Sequence, residues 1–354
     1  MYLFVDAPQG LRFSLVMNKK IALIVTLLLG IGSSSFAQTN TTPGAPTAGI
    51  VTAAKNFLAA LDDGQRGKVV FDFKDDAQRK RWSNLPSTIF KRAGLRMGEL
   101  TKPQRNAVMS VLAAALSPQG YTKVLQIVDA DEVLKNSQGE TMFGRDQYYV
   151  SFLGQPSTTD PWMIQFGGHH LGINITLVGE RRTVAPSHTG AQPAFYEVEG
   201  KIIRPLGRES DKAFALLSLL NESQRKQAIL GFQMRDLVLG PGRDGQTIQP
   251  EGIKGSALND NQREMLLDLA SEWTGLLHEV VAKLKMDEMR KNVGETWFAW
   301  SGPTEKGSAA YFRIQGPTII IEYAPQRMGA DPTKHLHTIY RDPTNEYGAK
   351  WLKP

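Results

Sequence analysis

The chain has 354 residues, with 41 Lys and Arg against 35 Asp and Glu, which gives a formal net charge of +6 at pH 7. This excess is mild and dispersed, so it does not indicate a nucleic-acid-binding protein. The chain contains no cysteine, which excludes disulfides, a thiolate nucleophile and a cysteine-ligated metal. Its length is ample for a large hydrophobic core and more than one lobe.

The N-terminal segment has the pattern of a secretory signal peptide. Met17 is followed by two lysines, an apolar run over 21–31 and a small-x-small cleavage site that ends at Ala37. We therefore expect residues 1–37 to be an N-terminal extension and signal peptide, with Met17 as the true start. An uncleaved membrane anchor is disfavoured because the run is shorter than the ~20 residues of a spanning helix. The mature protein is expected to be periplasmic or secreted, without membrane insertion.

Two further segments lie before the first repeated motif. Residues 38–48 are polar and contain two prolines, which predicts a disordered lead-in. The spacing of apolar residues from Ile50 to Leu61 predicts a packing helix.

A short pattern recurs three times and indicates a repeated structure. Each copy begins with Leu, continues with Thr or Asn and has Gln three residues later; the copies begin at Leu100, Leu220 and Leu258. Thr or Asn can cap a helix, and the Gln can reach back to complete a capping box. Three helices are therefore predicted to begin with the same type of capping box. A functional role for the Gln-Arg pair that ends each copy is the alternative.

The first and third copies extend into longer matches that predict an internal duplication. Each helix leads into segments with strand character, and Gly, Ala and Pro recur at matching offsets in 185–193 and 324–332. We predict an α+β fold with two related halves, about 85–196 and 250–340, each a capped helix followed by a β-hairpin or small sheet. A helical insert, Asp211 to Leu239, is predicted between them.

Four of the six histidines fall in two pairs, which are the strongest candidates for a site. His169 and His170 are adjacent and follow two glycines. His335 and His337 alternate, so in an extended segment both side chains point to the same face.

The alignment of the two halves separates these histidines from the shared fold. The residues that match them in the other half are Thr318, Ile319, Tyr196 and Val198. The repeated unit therefore does not need histidine at any of these positions. Each half has its own histidine pair, which is the pattern expected of one composite site between the halves.

A metal ion is the ligand that these residues would suit best. Neutral imidazole is the commonest protein ligand for zinc and also binds copper, iron and nickel. Three protein ligands and an open position would suit a metal-dependent hydrolase or oxidase. A metal-free polar site and ordinary structural roles are the alternatives. The candidate ligands of a divalent transition metal, zinc foremost, are His169, His170, His335 and His337, with Glu322, Asp342 and His188 in reserve.

Arg341 and Asp342 follow the second pair and are the candidate catalytic residues. They could orient a ligand histidine or bind an anionic group. The alternative is that they anchor the chain end. His278 falls within a helix predicted from Gln262 to Lys285 and is interpreted as a packed or boundary residue. Neither a Gly-x-Ser-x-Gly nor a His-Glu-x-x-His motif is present.

A second hypothesis is a non-catalytic periplasmic module that binds a sugar or a peptide. Aromatic rings near the predicted strands could form a stacking platform, although alternating aromatics more often belong to a core. The partner would be a small molecule, a sugar or a peptide under either hypothesis. The rings concerned are Tyr148, Tyr149, Trp162, Trp297, Trp300 and Tyr311.

The motifs also carry a family resemblance. Gly-Gly-His-His with the following Asn-x-Thr, a Gly-Ala-x-Pro motif, and the closing His-x-His-Thr-x-x-Arg-Asp-Pro-Thr-Asn-x-Tyr-Gly resemble the DUF3500 family, whose function is unknown. The resemblance runs from about Arg79 to Leu352, so 49–354 is expected to form a single domain of this type. It implies an exported protein and names no activity, substrate or cofactor. In related sequences Asp stands where this chain has Glu346, so the carboxylate is kept.

Overall fold

The computed structural model describes residues 46–138, 141–327 and 331–352. The predicted signal peptide and residues 38–45 of the predicted lead-in lie outside the described residues. Within them, no helix is both long and apolar enough to cross a membrane.

Nine α-helices occur in the described chain. The first begins at Pro46, so residues 46–48 of the predicted lead-in are helical; proline is well tolerated there because the first helical N–H has no partner within the helix. The helices are α1 (Pro46–Ala59), α2 (Asp63–Val69), α3 (Asp76–Arg79), α4 (Lys102–Ala115), α5 (Pro118–Gln138), α6 (Gly207–Leu219), α7 (Glu222–Ala228), α8 (Asp260–Thr274) and α9 (Glu279–Lys291).

Twelve strands of the described chain form one sheet, and two more form a separate ribbon. The sheet order is β1-β3-β4-β5-β7-β14-β13-β12-β11-β10, with β2 paired to β3 and β6 paired to β5; the ribbon is β8-β9. The strands are β1 (Val70–Phe71), β2 (Leu95–Arg96), β3 (Tyr149–Leu153), β4 (Trp162–Gly168), β5 (Leu171–Val178), β6 (Arg181–Thr183), β7 (Ser187–Ala191), β8 (Tyr196–Val198), β9 (Lys201–Ile203), β10 (Ile253–Lys254), β11 (Trp297–Ser301), β12 (Tyr311–Gly316), β13 (Ile319–Pro325) and β14 (Leu336–Arg341). The predicted α+β class is confirmed.

The sheet has a central antiparallel pair, β7 and β14, with similar strands on either side. Strands β3, β4 and β5 lie on one side, and β13, β12 and β11 lie on the other. Thr189 and Thr338 face each other at the centre of this pair, with their Oγ1 atoms 2.7 Å apart. The order of elements therefore recurs about this pair. Common descent of the two halves stays a prediction.

The recurring order of elements begins before residues 85 and 250, where the two halves are predicted to start. Helices α1 and α2 precede β1, which pairs in parallel with β3. Helices α6 and α7 precede Ile229, which forms a parallel bridge to Trp300 of β11. The segment predicted as a helical insert thus occupies the position in the second half that α1 to β1 occupy in the first. This segment contains two helices, α6 and α7, and the second ends at Ala228 rather than Leu239 because the chain joins the sheet there.

The three predicted capping boxes are confirmed at Thr101, Asn221 and Asn259. A fourth capping box, which is not among the three predicted ones, lies at Asp62. The Gln side chains also join helices: Gln104 Nε2 donates to Ala60 O at 2.9 Å and to Gln65 Oε1 at 2.8 Å. In the second half the corresponding bonds run from Gln262 to Leu219 O and Gln224 Oε1, both at 2.8 Å. The capping interpretation is therefore the correct one.

The strand register corrects the predicted alignment of the halves by one residue. Gly168 pairs with Leu171 and Gly316 pairs with Ile319, so each hairpin turn has two residues. His169 and His170 therefore correspond to Pro317 and Thr318. A one-residue slip matters because it exchanges the two faces of a strand.

The register of β7 and β14 at the sheet centre also corrects the predicted counterparts of His335 and His337. His337 pairs with Gly190, and Ile339 pairs with His188. A local two-fold axis at Thr189 and Thr338 therefore exchanges His337 with His188. Tyr196 and Val198, the counterparts expected from the sequence, lie in the separate ribbon.

The predicted helix from Gln262 to Lys285 is two helices. Gly275 ends α8, and a Cβ there would lie 2.7 Å from Ser271 O. His278 caps α9, with its side chain accepting from the backbone N–H of Val280. It is half-buried and is not among the clustered histidines described below.

The two faces of the sheet have different neighbours. One face joins the helices in the main hydrophobic core, where Phe152 and Ile314 cluster with Leu112 and Trp273. The other face binds the short helix α3 and irregular segments through polar side chains: Gln165 Nε2 donates to Arg79 O at the end of α3, and Glu322 accepts from the N–H groups of residues 238 and 239. His188, His337 and Arg341 alternate with core-facing residues and point to this second, loop-covered face.

Candidate metal centre

Five histidines of the described chain form one cluster where the two halves of the sheet meet. They come from the β4–β5 turn, from β7, and from the start of β14. All five are buried, with between 0% and 6% of their surface exposed: His169, His170, His188, His335 and His337. The structure therefore brings the two predicted pairs together, and it adds His188 from the reserves.

Three ring nitrogens converge within this cluster. His170 Nε2 lies 2.9 Å from His335 Nε2, which lies 3.1 Å from His337 Nε2. A neutral imidazole has one N–H and one lone pair. Without a cation, the single lone pair of His335 Nε2 would have to accept from both neighbours, because a protonated Nε2 could donate to only one of them. A cation can accept all three lone pairs at once.

The spacing of the three nitrogens fits a transition metal. Zn–N bonds of about 2.0–2.1 Å place two ligand nitrogens about 3.3 Å apart at a tetrahedral angle and about 2.9 Å apart at a right angle. The observed separations of 2.9 Å and 3.1 Å lie within this range. The ligand atoms of His170, His335 and His337 all lie within 4.8 Å of one another. This set is therefore able to hold a metal ion.

Local backbone geometry positions each of these histidines. His335 and His337 alternate along an extended segment, so both point to the same face, as the sequence predicts. His170 has a φ of 107°, which is unfavourable for any residue except glycine. Such a conformation costs on the order of 1–3 kcal/mol and is found preferentially at functional sites.

Burial favours the neutral form of three of the clustered imidazoles, those of His170, His188 and His337. It lowers the pKa of His170 and His188 well below the ordinary histidine value, and the neighbouring histidines lower it further. Burial also lowers the pKa of His337, although the Asp236 carboxylate opposes this shift. The neutral ring is the form that binds a metal.

Carboxylates stand behind two of the histidines. Asp131 Oδ1 lies 2.7 Å from His169 Nδ1, and the second oxygen of Asp131 accepts from the N–H of Gly144 at 2.8 Å. Asp236 Oδ1 lies 3.7 Å from His337 Nδ1, which is too long for a hydrogen bond but close enough for an electrostatic contact with the ring. Asp131 is fully buried, whereas 60% of the Asp236 side chain is exposed. The cluster therefore has an inner side and a side that reaches solvent.

Asn84 lies on the solvent side of the cluster. Its Nδ2 is 3.4 Å from both ring nitrogens of His337, so it does not point along the lone pair of either one. Asn84 belongs to an irregular segment before α4, and Asp236 to the corresponding segment of the second half. These two segments flank the cluster on the loop-covered face.

Sequence reasoning missed several of these groups. Asp131 lies inside a long helix and Asp236 in an irregular segment of mixed polar and apolar residues, and neither stands in a recognisable motif. His188 was a reserve ligand in the sequence analysis, and its position is explained by the register: Ser187-His188-Thr189 corresponds to Leu336-His337-Thr338.

The structure places the predicted catalytic pair among anchoring contacts. Arg341 is fully buried and donates to the carbonyls of Leu239 and Gly240 and to Glu346. Asp342 accepts from Lys285 at 2.7 Å and from Thr344. Within the described residues, no hydrogen bond or ion pair joins either residue to the histidine cluster. Their catalytic role stays a prediction.

The remaining candidates from the sequence lie elsewhere. Glu322 is fully buried and accepts from two backbone N–H groups and from Tyr311, so its oxygens are occupied away from the cluster. Four of the six rings proposed as a stacking platform are buried, with at most 1% exposed: Tyr148, Trp162, Trp300 and Tyr311. These rings are part of the packed interior rather than an open groove.

Comparison with known proteins finds a family but no characterised relative. Neither the curated proteins nor the solved structures include a match. A family profile described as "Protein of unknown function (DUF3500)" matches residues 43–349, which is most of the chain and includes every histidine of the cluster. The predicted resemblance is confirmed, and the chain belongs to the DUF3500 family.

Proposed function

We propose that this protein is an exported metal-binding protein that holds a divalent transition metal, zinc foremost, through His170, His335 and His337. The observation that supports the proposal most strongly is the convergence of three Nε2 atoms at 2.9 Å and 3.1 Å in a buried cluster. Without a metal, the N–H groups of His170 and His337 would compete for the one lone pair of His335 Nε2. A cation accepts one lone pair from each of the three rings.

The ligand number favours a reactive ion over a purely structural one. Structural zinc sites usually have four protein ligands, whereas catalytic sites have three and an open position. The three-histidine set leaves such a position, and Asn84 and Asp236 flank the cluster on the side nearer to solvent. We propose a metal-dependent hydrolase, with an oxidase as the alternative if the ion is copper or iron.

The residues around the cluster would have separate roles in such an enzyme. When bound, zinc supplies an acidified water or polarises a substrate carbonyl. Asp236 would hold the His337 ring in place through its Nδ1 side. The Asn84 amide would donate to an oxygen of the substrate, since its N–H groups are not directed at either lone pair of His337. The buried walls would exclude bulk water.

Export is part of the proposal and is supported by the sequence alone. Met17 to Ala37 has the lysine pair, apolar run and small-x-small ending of a signal peptide. The absence of cysteine is compatible with any exported compartment, provided that an ordinary core supplies the stability. Detection of a mature N-terminus at Gln38 in a periplasmic fraction would support export; a full-length cytoplasmic protein would contradict it.

Elemental analysis tests metal binding directly. The protein is purified without a polyhistidine tag, as wild type and as His335→Gln, with His278→Gln as the matched control because His278 lies outside the cluster. We expect at least about one equivalent of zinc, copper or iron in wild type and control. In His335→Gln the metal content should be lower by about one equivalent. No bound metal in the wild type, even after incubation with all three ions, would contradict the proposal.

A sugar- or peptide-binding module is the weaker candidate. It depended on aromatic rings in an open groove, and most of those rings are buried. No observation on the described residues favours it over the metal centre.

A further inference from the structure

A second set of ligand-type groups lies beside the three-histidine set. Asp131, His169 and His170 offer ligand atoms that all lie within 4.8 Å of one another, and all three residues are buried. Carboxylate and imidazole are both ordinary zinc ligands. His170 belongs to both sets, so the two sets are contiguous.

The two nitrogens of His170 have different surroundings. Nε2 is 2.9 Å from His335 Nε2 and is therefore committed to the three-histidine set. Nδ1 is buried and has no hydrogen-bond partner among the described residues. A metal-bound histidine almost always donates its other N–H to an acceptor. His170 departs from this rule, and a second cation at Nδ1 would account for the departure.

The contact between Asp131 and His169 is compatible with either of two roles. Their facing atoms are 2.7 Å apart, a distance that fits a hydrogen bond. It also approaches the about 2.9 Å expected between two ligands at a right angle on one zinc ion. Gly144 N holds the second oxygen of Asp131, so the carboxylate is fixed in orientation before any ion binds. Full burial of a carboxylate would also favour a nearby positive charge.

We propose that the centre is dinuclear, with His170 as the bridging ligand. The first ion binds His170 Nε2, His335 and His337; the second binds His170 Nδ1, His169 and Asp131. Binding of the second ion releases the Nδ1 proton of His170 to solvent, and no electron is transferred. This inference rests on the proposed metal-binding function and extends it to a second divalent transition ion held entirely by the first half of the chain.

Zinc stoichiometry tests the proposal. Metal-free protein is incubated with zinc, dialysed and analysed. We expect about two equivalents in the wild type, about one in Asp131→Asn, about one in His335→Gln and none in His170→Gln. Asp129→Asn is the matched control: Asp129 lies on the same helix but pairs with Arg145 at the surface, so about two equivalents should remain.

The outcomes separate the inference from the function on which it rests. About one equivalent in the wild type, unchanged in Asp131→Asn, would overturn the dinuclear centre and leave the metal-binding function standing. No zinc in the wild type would overturn the dinuclear zinc centre, and the absence of zinc, copper and iron would overturn both. Circular dichroism checks the folding of each variant. If Asp131→Asn does not fold, His169→Gln replaces it, and one equivalent in the wild type still overturns the proposal.

Copper loading tests the bridge itself. Two Cu²⁺ ions that share an imidazolate couple magnetically, so the integrated electron paramagnetic resonance signal should fall below the copper content in the wild type. In Asp131→Asn, with one ion, the signal and the copper content should agree. A wild-type signal that accounts for all the copper would overturn the bridging role of His170.

Discussion

The two halves of the sheet share a scaffold but contribute differently to the histidine cluster. In each, a capping box begins a helix and a glutamine ties that helix to its neighbour, at Gln104 and at Gln262. At the β4–β5 turn the first half has His169 and His170, where the second half has Pro317 and Thr318. The equivalent scaffolds therefore position residues that differ, and the difference falls at the candidate site.

The comparison also separates a shared histidine from individual ones. His188 and His337 occupy equivalent positions on the two central strands. Their ring centroids lie 5.1 Å apart, but only His337 belongs to the converging set. A histidine on a central strand is therefore not enough to place a residue in the converging set. The set also depends on His170 and His335, at positions where the two halves differ.

The largest effect is expected at the turn where the halves differ. His170→Gln should abolish zinc binding, because His170 belongs to both sets of candidate ligands. The loss should exceed the about 10- to 100-fold that removal of an outer partner causes. Thr318→Gln changes the equivalent position in the second half and should leave zinc affinity unchanged. Isothermal titration calorimetry measures both, and equal losses would contradict the assignment.

The shared caps should respond alike. Gln104→Ala and Gln262→Ala each remove a buried side chain that caps a helix and bonds a neighbouring carbonyl. We expect each to lower the free energy of unfolding by about 2–3 kcal/mol, with zinc stoichiometry unchanged. Urea denaturation measures the loss. A clear difference between the two variants would show that the caps are not equivalent.

The sequence predicts the helix caps of the scaffold well, but it predicts the strand register and the contacts of the candidate site poorly. The caps at Thr101, Asn221 and Asn259 are local patterns, so the sequence suffices to predict them. Strand pairing is not local: the alignment of the halves was wrong by one residue at the β4–β5 turn, because periodicity does not fix register, and by ten residues at the central strands. The Asp131 carboxylate reaches His169 only through tertiary packing of α5, and no sequence pattern signals that contact.

The central threonines should respond unequally despite their equivalent positions. Thr338 Oγ1 accepts from Trp273 Nε1 at 2.9 Å and also contacts Thr189. Thr338→Val leaves the buried indole N–H unpaired and should cost about 2 kcal/mol of stability, whereas Thr189→Val should cost about 1 kcal/mol. Thermal unfolding of the two variants compares them. A larger loss for Thr189→Val would contradict this account.

The smallest effect is expected on the solvent side of the cluster. Asp236→Asn removes the charge facing His337 Nδ1 and should weaken zinc binding about 10-fold, or ~1.4 kcal/mol. Asp268→Asn removes an exposed carboxylate on α8 and should leave the affinity unchanged. Competition with a chromogenic chelator measures both. Unchanged affinity in Asp236→Asn would show that this carboxylate does not support the ligand.

The central claim is that His170, His335 and His337 bind one ion together. Diffraction from zinc-soaked crystals, measured on both sides of the zinc absorption edge, tests it directly. We predict an anomalous peak about 2.0–2.1 Å from all three Nε2 atoms. A map without a peak at this position, with the three rings still at hydrogen-bonding distance from one another, would contradict the claim.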